Sequence, residues 1–238
     1  CDHKKSPIKS FSEVLNQKSK PSFAIPSDVV PLIGHKMKPR GKIYIRFLRS
    51  DHKRDFFDLD HGYFWRGHDV KGQTGLLGSP RHKQVWYRIS LNGHMQTTLK
   101  DVTGERWDKI FKPSFGSKIK NRKPRNGKHV LVCPAGGIIC NIYGHDHEKW
   151  LDNTLKILKN NSDREVRVRH KPKIVGNKMK EKVKLEDDLK DCYAVVTHSS
   201  TVAIHAQLLG IPTFCDPVCV AAPVSHTDFS KIESPLWD

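Results

Sequence analysis

Long apolar stretches are missing from this 238-residue chain. No run reaches the roughly 18 consecutive apolar residues that a membrane-spanning helix needs. No apolar segment follows the N-terminus either, so neither a span nor a secretory leader is expected. The chain begins at Cys1 rather than Met, as a fragment or processed form would. Cysteine is sparse and scattered: Cys1, Cys133, Cys140, Cys192, Cys215 and Cys219. Cys133, Cys192 and Cys215 lie in or beside apolar runs, where a reduced thiol packs as a small hydrophobe. That usage fits a reducing cytoplasm better than a disulfide framework. Cys215 and Cys219 lack the second ligand pair of a zinc site. The glycines do not spell G-x-G-x-x-G, and no acidic residue closes the next strand, which excludes a nicotinamide-dependent dehydrogenase. There is no internal repeat.

Acidic residues are scarce in one part only. From Leu185 to Asp238 there are two Lys and eight Asp or Glu, a net of −6, whereas residues 1–184 carry 40 basic and 17 acidic side chains, a net of +23. The asymmetry points to a polyanionic partner for the first part, although a Lys-rich solvated surface would read the same way. Tyr63, Phe64, Trp65, Trp86, Tyr87 and Trp107 fall in that part. Rings among cations suit base or sugar stacking, and they suit a core equally well.

Residues 1–40 are rich in Lys, Pro and Ser with little periodicity, and read as a loosely ordered arm. Strands are expected at 42–48, 54–64 and 84–92, the second ending in a turn at Asp60-His61-Gly62, with a long loop over 65–84. One or two helical turns fit 104–111. The basic "SKIKNRKPRNGK" at 117–128 is the expected linker between an N-terminal domain, 1–116, and a second domain, 129–238. Beyond it the pattern changes to short apolar runs alternating with amphipathic segments: strands at 129–137, 165–172, 193–198 and 211–216, and helices at 147–161, 185–192 and 200–210. This is the grammar of an α/β fold, a Rossmann-like doubly wound parallel sheet, joined to a smaller N-terminal α/β part.

In such a sheet, ligands sit beyond the carboxyl ends of the strands. That rule selects four turns. The first is Pro134–Gly137, where Gly136 and Gly137 let a ligand approach the backbone. The second holds Arg169, His170 and Lys171, able to grip a phosphate or a ribose, though a plain basic strand edge would look alike. The third is His198-Ser199-Ser200-Thr201, whose hydroxyls and helix N-terminus suit an anion; an ordinary cap needs only one of them. The fourth begins at Asp216. Asp60, following an apolar run, could take a proton from an attacking hydroxyl. Asp58-Leu59-Asp60 could instead hold Mg²⁺ or Mn²⁺ as a D-x-D motif, and Asp60 could simply begin a turn. The two histidines of "GHDHE" (144–148) lack a third ligand, and no metal is expected.

The order of "DHGYF", "VRHKP", "VVTHSSTVAIHAQLLGIPTF" and "CDPVCVAAPVSHTDFSKIE" resembles nucleotide-sugar glycosyltransferases of the GT-B type. It is nearest the capsule-polysaccharide Kdo-transferase group and small phage-encoded glycosyltransferases, over roughly residues 54–238. The resemblance implies a nucleotide-sugar co-substrate, no metal or other cofactor, and an inverting transfer. It implies Asp60 as catalytic base, with His61 inserted before Gly62; His170 as nucleotide contact, with Lys171 interposed before Pro172; and Ser199, Ser200 and Thr201 on the donor phosphate. Together with the charge of residues 1–184, it implies DNA bearing hydroxymethylated pyrimidines as the acceptor, a capsule or lipid-linked glycan being second. A non-catalytic domain that holds nucleotide or nucleic acid is the remaining class.

Overall fold

The computed structural model describes residues 32–34, 55–63, 87–95, 97, 103–115, 126–171, 174–175, 178–179 and 184–234. The expected strand at 42–48, the loop at 65–84 and most of the linker lie outside these residues. The chain divides into two compact units, Cys1–Asp69 with Leu77–Gln96, and Val70–Leu76 with Thr97–Asp238.

In the first unit, β1 (Leu32–Gly34), β2 (Phe57–His61) and β3 (Tyr87–Leu91) form a sheet in that order. β1 and β2 are parallel, β2 and β3 antiparallel, with Asp58 opposite Ser90 and Asp60 opposite Arg88. Asp60 and His61 belong to the strand itself; the acidic turn expected there is displaced to Gly62. Strand alternation puts Asp58 and Asp60 on one face and Phe57 and Leu59 on the other. Asn92, in the left-handed region at φ 58°, closes the sheet end. Its side-chain oxygen accepts the Phe56 N–H at 2.9 Å, a conformation and a bond that asparagine tolerates well.

In the second unit, a π-helical turn at Trp107–Phe111 runs into Lys112–Phe115. The main body is a four-stranded parallel sheet of β4 (His129–Cys133), β5 (Glu165–Val168), β8 (Cys192–Thr197) and β9 (Thr213–Cys215), in the order β5-β4-β8-β9. β4 and β8 are buried at every residue, as continuous apolar runs in the middle of a parallel sheet should be. A two-residue pair, β6 (Ile174–Val175) and β7 (Lys178–Met179), stands apart as a small hairpin.

Helices cover both faces. α1 (Gly137–Tyr143) and α2 (His147–Asn161) follow β4; α3 (Leu185–Leu189) precedes β8; α4 (Val202–Leu208) follows it. α2 starts at Asp146, whose carboxylate accepts the Lys149 N–H at 3.1 Å, a standard N-cap. Its Trp150, Leu151 and Leu158 pack on Val130, Val132, Ala194, Val196 and Phe214. On the other face, Leu131, Cys133 and Val195 meet Leu189, Ala206 and Ile211, with Leu185, Val202 and Leu209 around them. Odd and even residues of β4 thus feed two separate cores. This is the doubly wound α/β arrangement expected from the sequence. No helix among the described residues is long and apolar enough to cross a membrane.

Candidate functional site

β4 leads through α1 and α2 to β5 on one side of the sheet, whereas β8 leads through α4 to β9 on the other. The winding direction therefore reverses between β4 and β8. In open α/β sheets ligands bind beyond the carboxyl ends of the strands at such a point. The turn after β4, Pro134–Gly136, and the turn after β8, His198–Thr201, stand there.

His198 is the hub of the second turn. It is 4% exposed. Its Nδ1 lies 2.9 Å from the Ser199 hydroxyl and its Nε2 3.8 Å from Asp216 Oδ2. The His145 ring stacks on it at 4.2 Å between centroids, and the Trp150 ring meets it edge-on at 6.1 Å. Trp150 donates its indole N–H to Asp216 at 2.7 Å. Burial, with the neighbouring His145 adding to it, pushes the His198 pKa down to about 4, so the ring is neutral at pH 7. Burial raises that of Asp216, opposed by the Trp150 bond and by His145. A neutral ring with its proton on Nε2 suits both neighbours.

The hydroxyls of this turn are largely occupied in shaping it. Thr197 donates to the Cys133 carbonyl and accepts the Ser200 N–H at 3.0 Å. Ser200 accepts the Val202 N–H at 3.3 Å, while Ser199 is held by His198. Thr201 occupies the N-cap position of α4 without a side-chain capping bond. Asp216 comes from the end of β9, next to β8, which is why a residue 18 positions along the chain reaches His198.

The "RHK" turn stands on β5, separated from β8 by β4. The "RHK" turn and the His198–Thr201 turn are thus two strand spacings apart, about 10 Å. Arg169 is largely buried and ion-paired with Asp188 of α3, so it braces the helix. His170 and Lys171 are exposed. The His170 ring is 5.8 Å from that of His147. The Lys171 stem lies against Gly136: a Cβ there would sit 3.6 Å from Lys171 Cδ. Gly136 caps α1, and nothing lies within 4 Å of a Cβ placed on Gly137. The two histidines of "GHDHE" diverge, His145 to His198 and His147 to the Ala135 carbonyl at 3.0 Å. Among the described residues no three side chains converge as metal ligands.

Asp60 belongs to the first unit. It pairs with Arg88 at 3.1 Å and lies 3.9 Å from His94. Asp58 is fully buried, 3.6 Å from His94 Nδ1. The D-x-D pair therefore faces a guanidinium and an imidazole. The Arg88 guanidinium also lies over the Tyr63 ring at 5.2 Å.

Sequence reasoning missed His145 and Trp150. Gly144, left-handed at φ 64°, ends α1, and Asp146 starts α2. A Gly-x-Asp link between helices was readable as such and would have placed His145 at a corner. A cleft of about 470 Å³ opens beside α2, with His145, Lys149, Trp150, Asn153, Asp216 and Asp228 among its lining residues.

No protein-family model and no curated protein matches the chain. Among solved structures it is similar to Thermosulfurimonas dismutans KpsC, a beta Kdo 2,4 transferase, at 16% identity and a TM-score of 0.30. That match covers 47% of this chain and 46% of the other, about half of each. The doubly wound α/β assignment rests on the sheet order and its two helical layers.

Proposed function

We propose that the protein is a glycosyltransferase that holds a nucleotide-sugar donor beyond the carboxyl ends of β4 and β8. The observation that carries this reading is the reversal of winding between those strands, with the Gly136–Gly137 turn on one and the His198–Thr201 turn on the other. Donor phosphates would meet His170, Lys171 and Thr201, with Ser199 and Ser200 joining by exchanging an internal bond. Leaving-group charge grows on those oxygens in the transition state, so fixed donors and cations there speed departure without a metal. Asp60, with His61 beside it, is proposed as the base for the acceptor hydroxyl, giving inversion. Its ion pair with Arg88 must loosen for it to take the proton. The five cysteines among the described residues are buried and outside any disulfide, which suits a reducing compartment, the host cytoplasm if the protein is phage-encoded. The +23 carried by residues 1–184 favours a polyanionic acceptor, first among them hydroxymethylated duplex DNA, with a capsule or lipid-linked glycan second.

A binding-only reading has one observation in its favour: Arg169 and Asp60, two of the expected site residues, are both committed to ion pairs. Radiolabelled nucleotide sugars presented with hydroxymethylated duplex DNA, and separately with glycan acceptors, distinguish the two. Transfer that survives EDTA supports the proposal. Nucleotide binding without transfer to any acceptor favours the binding domain. Ser200→Ala should weaken donor binding, and unchanged affinity removes Ser200 from the phosphate contacts.

A further inference from the structure

The cleft beside α2 differs chemically from the basic turns above β5. Its lining includes three carboxylates, Asp146, Asp216 and Asp228, with Lys149 as the cation, His145, and the amide of Asn153. In a chain of net charge +17, this is a locally acidic wall, and it disfavours phosphate. The carboxylates are not loose surface charges. Asp146 Oδ1 accepts the Lys149 backbone N–H, and Asp216 Oδ2 accepts the Trp150 indole. Asp228 Oδ1 accepts the N–H and hydroxyl of Ser230 at 3.0 and 2.6 Å. Each is thereby aimed by a bond through one oxygen, as an oriented acceptor is. The Trp150 and Phe229 rings, edge to face at 6.2 Å, supply an apolar floor. Oriented acceptors over an aromatic floor, in a cleft of ligand-holding size, match a molecule with hydroxyls on its rim and C–H groups on its face.

We propose that this cleft binds a neutral, hydroxyl-rich ligand, a hexose-type sugar, whose hydroxyls donate to Asp216 and Asp228 and pair with Asn153. Its link to transfer rests on the glycan-acceptor form of the function proposed above, in which this sugar would receive the glycosyl group. The binding itself does not require that reading.

The test uses the full chain. Glucose, galactose and N-acetylglucosamine are titrated by ligand-observed NMR, with inorganic phosphate as the anionic competitor. At least one sugar should bind in the millimolar range, phosphate should not displace it, and Asp216→Asn should weaken it tenfold or more. Asn153→Ala, on the exposed side of α2, should weaken it several-fold and serves where Asp216→Asn melts early. Displacement by phosphate, affinity unchanged in both variants, or no signal from any of the three sugars overturns the proposal. Nucleoside diphosphates are titrated separately. If they fail to bind while a sugar binds, the transfer reading falls and the sugar site stands; nucleotide binding with no sugar signal gives the reverse.

Discussion

In the second unit, β4 and β8 are buried from end to end, and the candidate site begins where the strands stop, at Pro134 and His198. In the first unit, β2 buries Asp58 in mid-strand against His94, while Phe57 of β2 and Tyr87, Ile89 and Leu91 of β3 are exposed. The two sheets divide the same tasks differently. One builds an apolar frame and hangs polar groups on its rim, outside the two apolar cores. The other places ionic groups inside the frame, where each depends on its partner. The difference teaches that a charged residue's position along a strand predicts its cost: a rim charge is a candidate for chemistry, and a mid-strand charge is first a debt to be balanced by a neighbour.

The comparison can be broken or sharpened by substitution. The largest effect is expected from putting a charge into the frame that has none. Val196→Asp places a carboxylate at a fully buried position of β8. It should cost more than about 4 kcal/mol, read as loss of hydrogen-exchange protection across β4 and β8. If those amides stay protected, the apolar frame is not what holds the unit. Arg88→Ala makes the converse change, removing the guanidinium that pairs with Asp60 beside the buried Asp58 and His94. A loss of about 3 kcal/mol is expected, whereas a change under about 1 kcal/mol would show that the ionic face is solvated and the contrast shallow.

Next comes pH. The His198 pKa is lower folded, about 4, than unfolded. Its contribution is fully present above the unfolded value near 6.5 and is lost as pH falls toward 4, on the order of 3 kcal/mol. Asp216, raised on folding, works in the opposite sense and offsets part of that loss. His198→Asn should flatten the stability profile between pH 6.5 and 4; an unchanged acid slope in urea titrations would assign it to other groups. The smallest effect is expected at a hydroxyl of the turn after β8. Ser200→Ala removes the bond to the Val202 N–H and should cost about 1 kcal/mol, with a cooperative melt retained.

Much of the second unit was legible in the sequence for plain physical reasons. "HVLVC" and "YAVVT" are unbroken apolar runs, which only a doubly covered strand requires. "DHEKWLDNTLKILKNN" carries its own cap and a helical spacing of Leu151, Leu155 and Leu158. α1 went unread because it opens with Gly136-Gly137 and is only seven residues long, too short for periodicity to speak. The β6–β7 pair, two residues to a strand, is shorter still. In the first unit, "FDLDH" reads as the approach to a turn because charge in mid-strand is rare. Its register against Arg88 is decided by a strand some 28 residues away.

At the candidate site, the turn at the carboxyl end of β8 was legible, since the strand-to-helix pattern locates it without reference to contacts. The occupation of its hydroxyls was not: Thr197 bonding to Cys133 and His198 bonding to Ser199 depend on neighbouring strands and rotamers. The stacking of His145 on His198 joins a helix corner to a strand end and leaves no periodic trace. Arg169 shows the same limit from the other side. Its type suggested a ligand, and its partner proved to be Asp188.

The pairing of β4 with β8 has a consequence for how the unit assembles. β4 meets β5 after α1 and α2, but its other edge waits for α3 and β8. During synthesis it therefore emerges as a half-paired apolar ribbon, and loop closure across that length must come before the central pair can form. The two strand ends that carry the candidate site cannot come together until this distant pairing is made. A chain arrested before Cys192 would expose the ribbon's open edge, the form most prone to self-association.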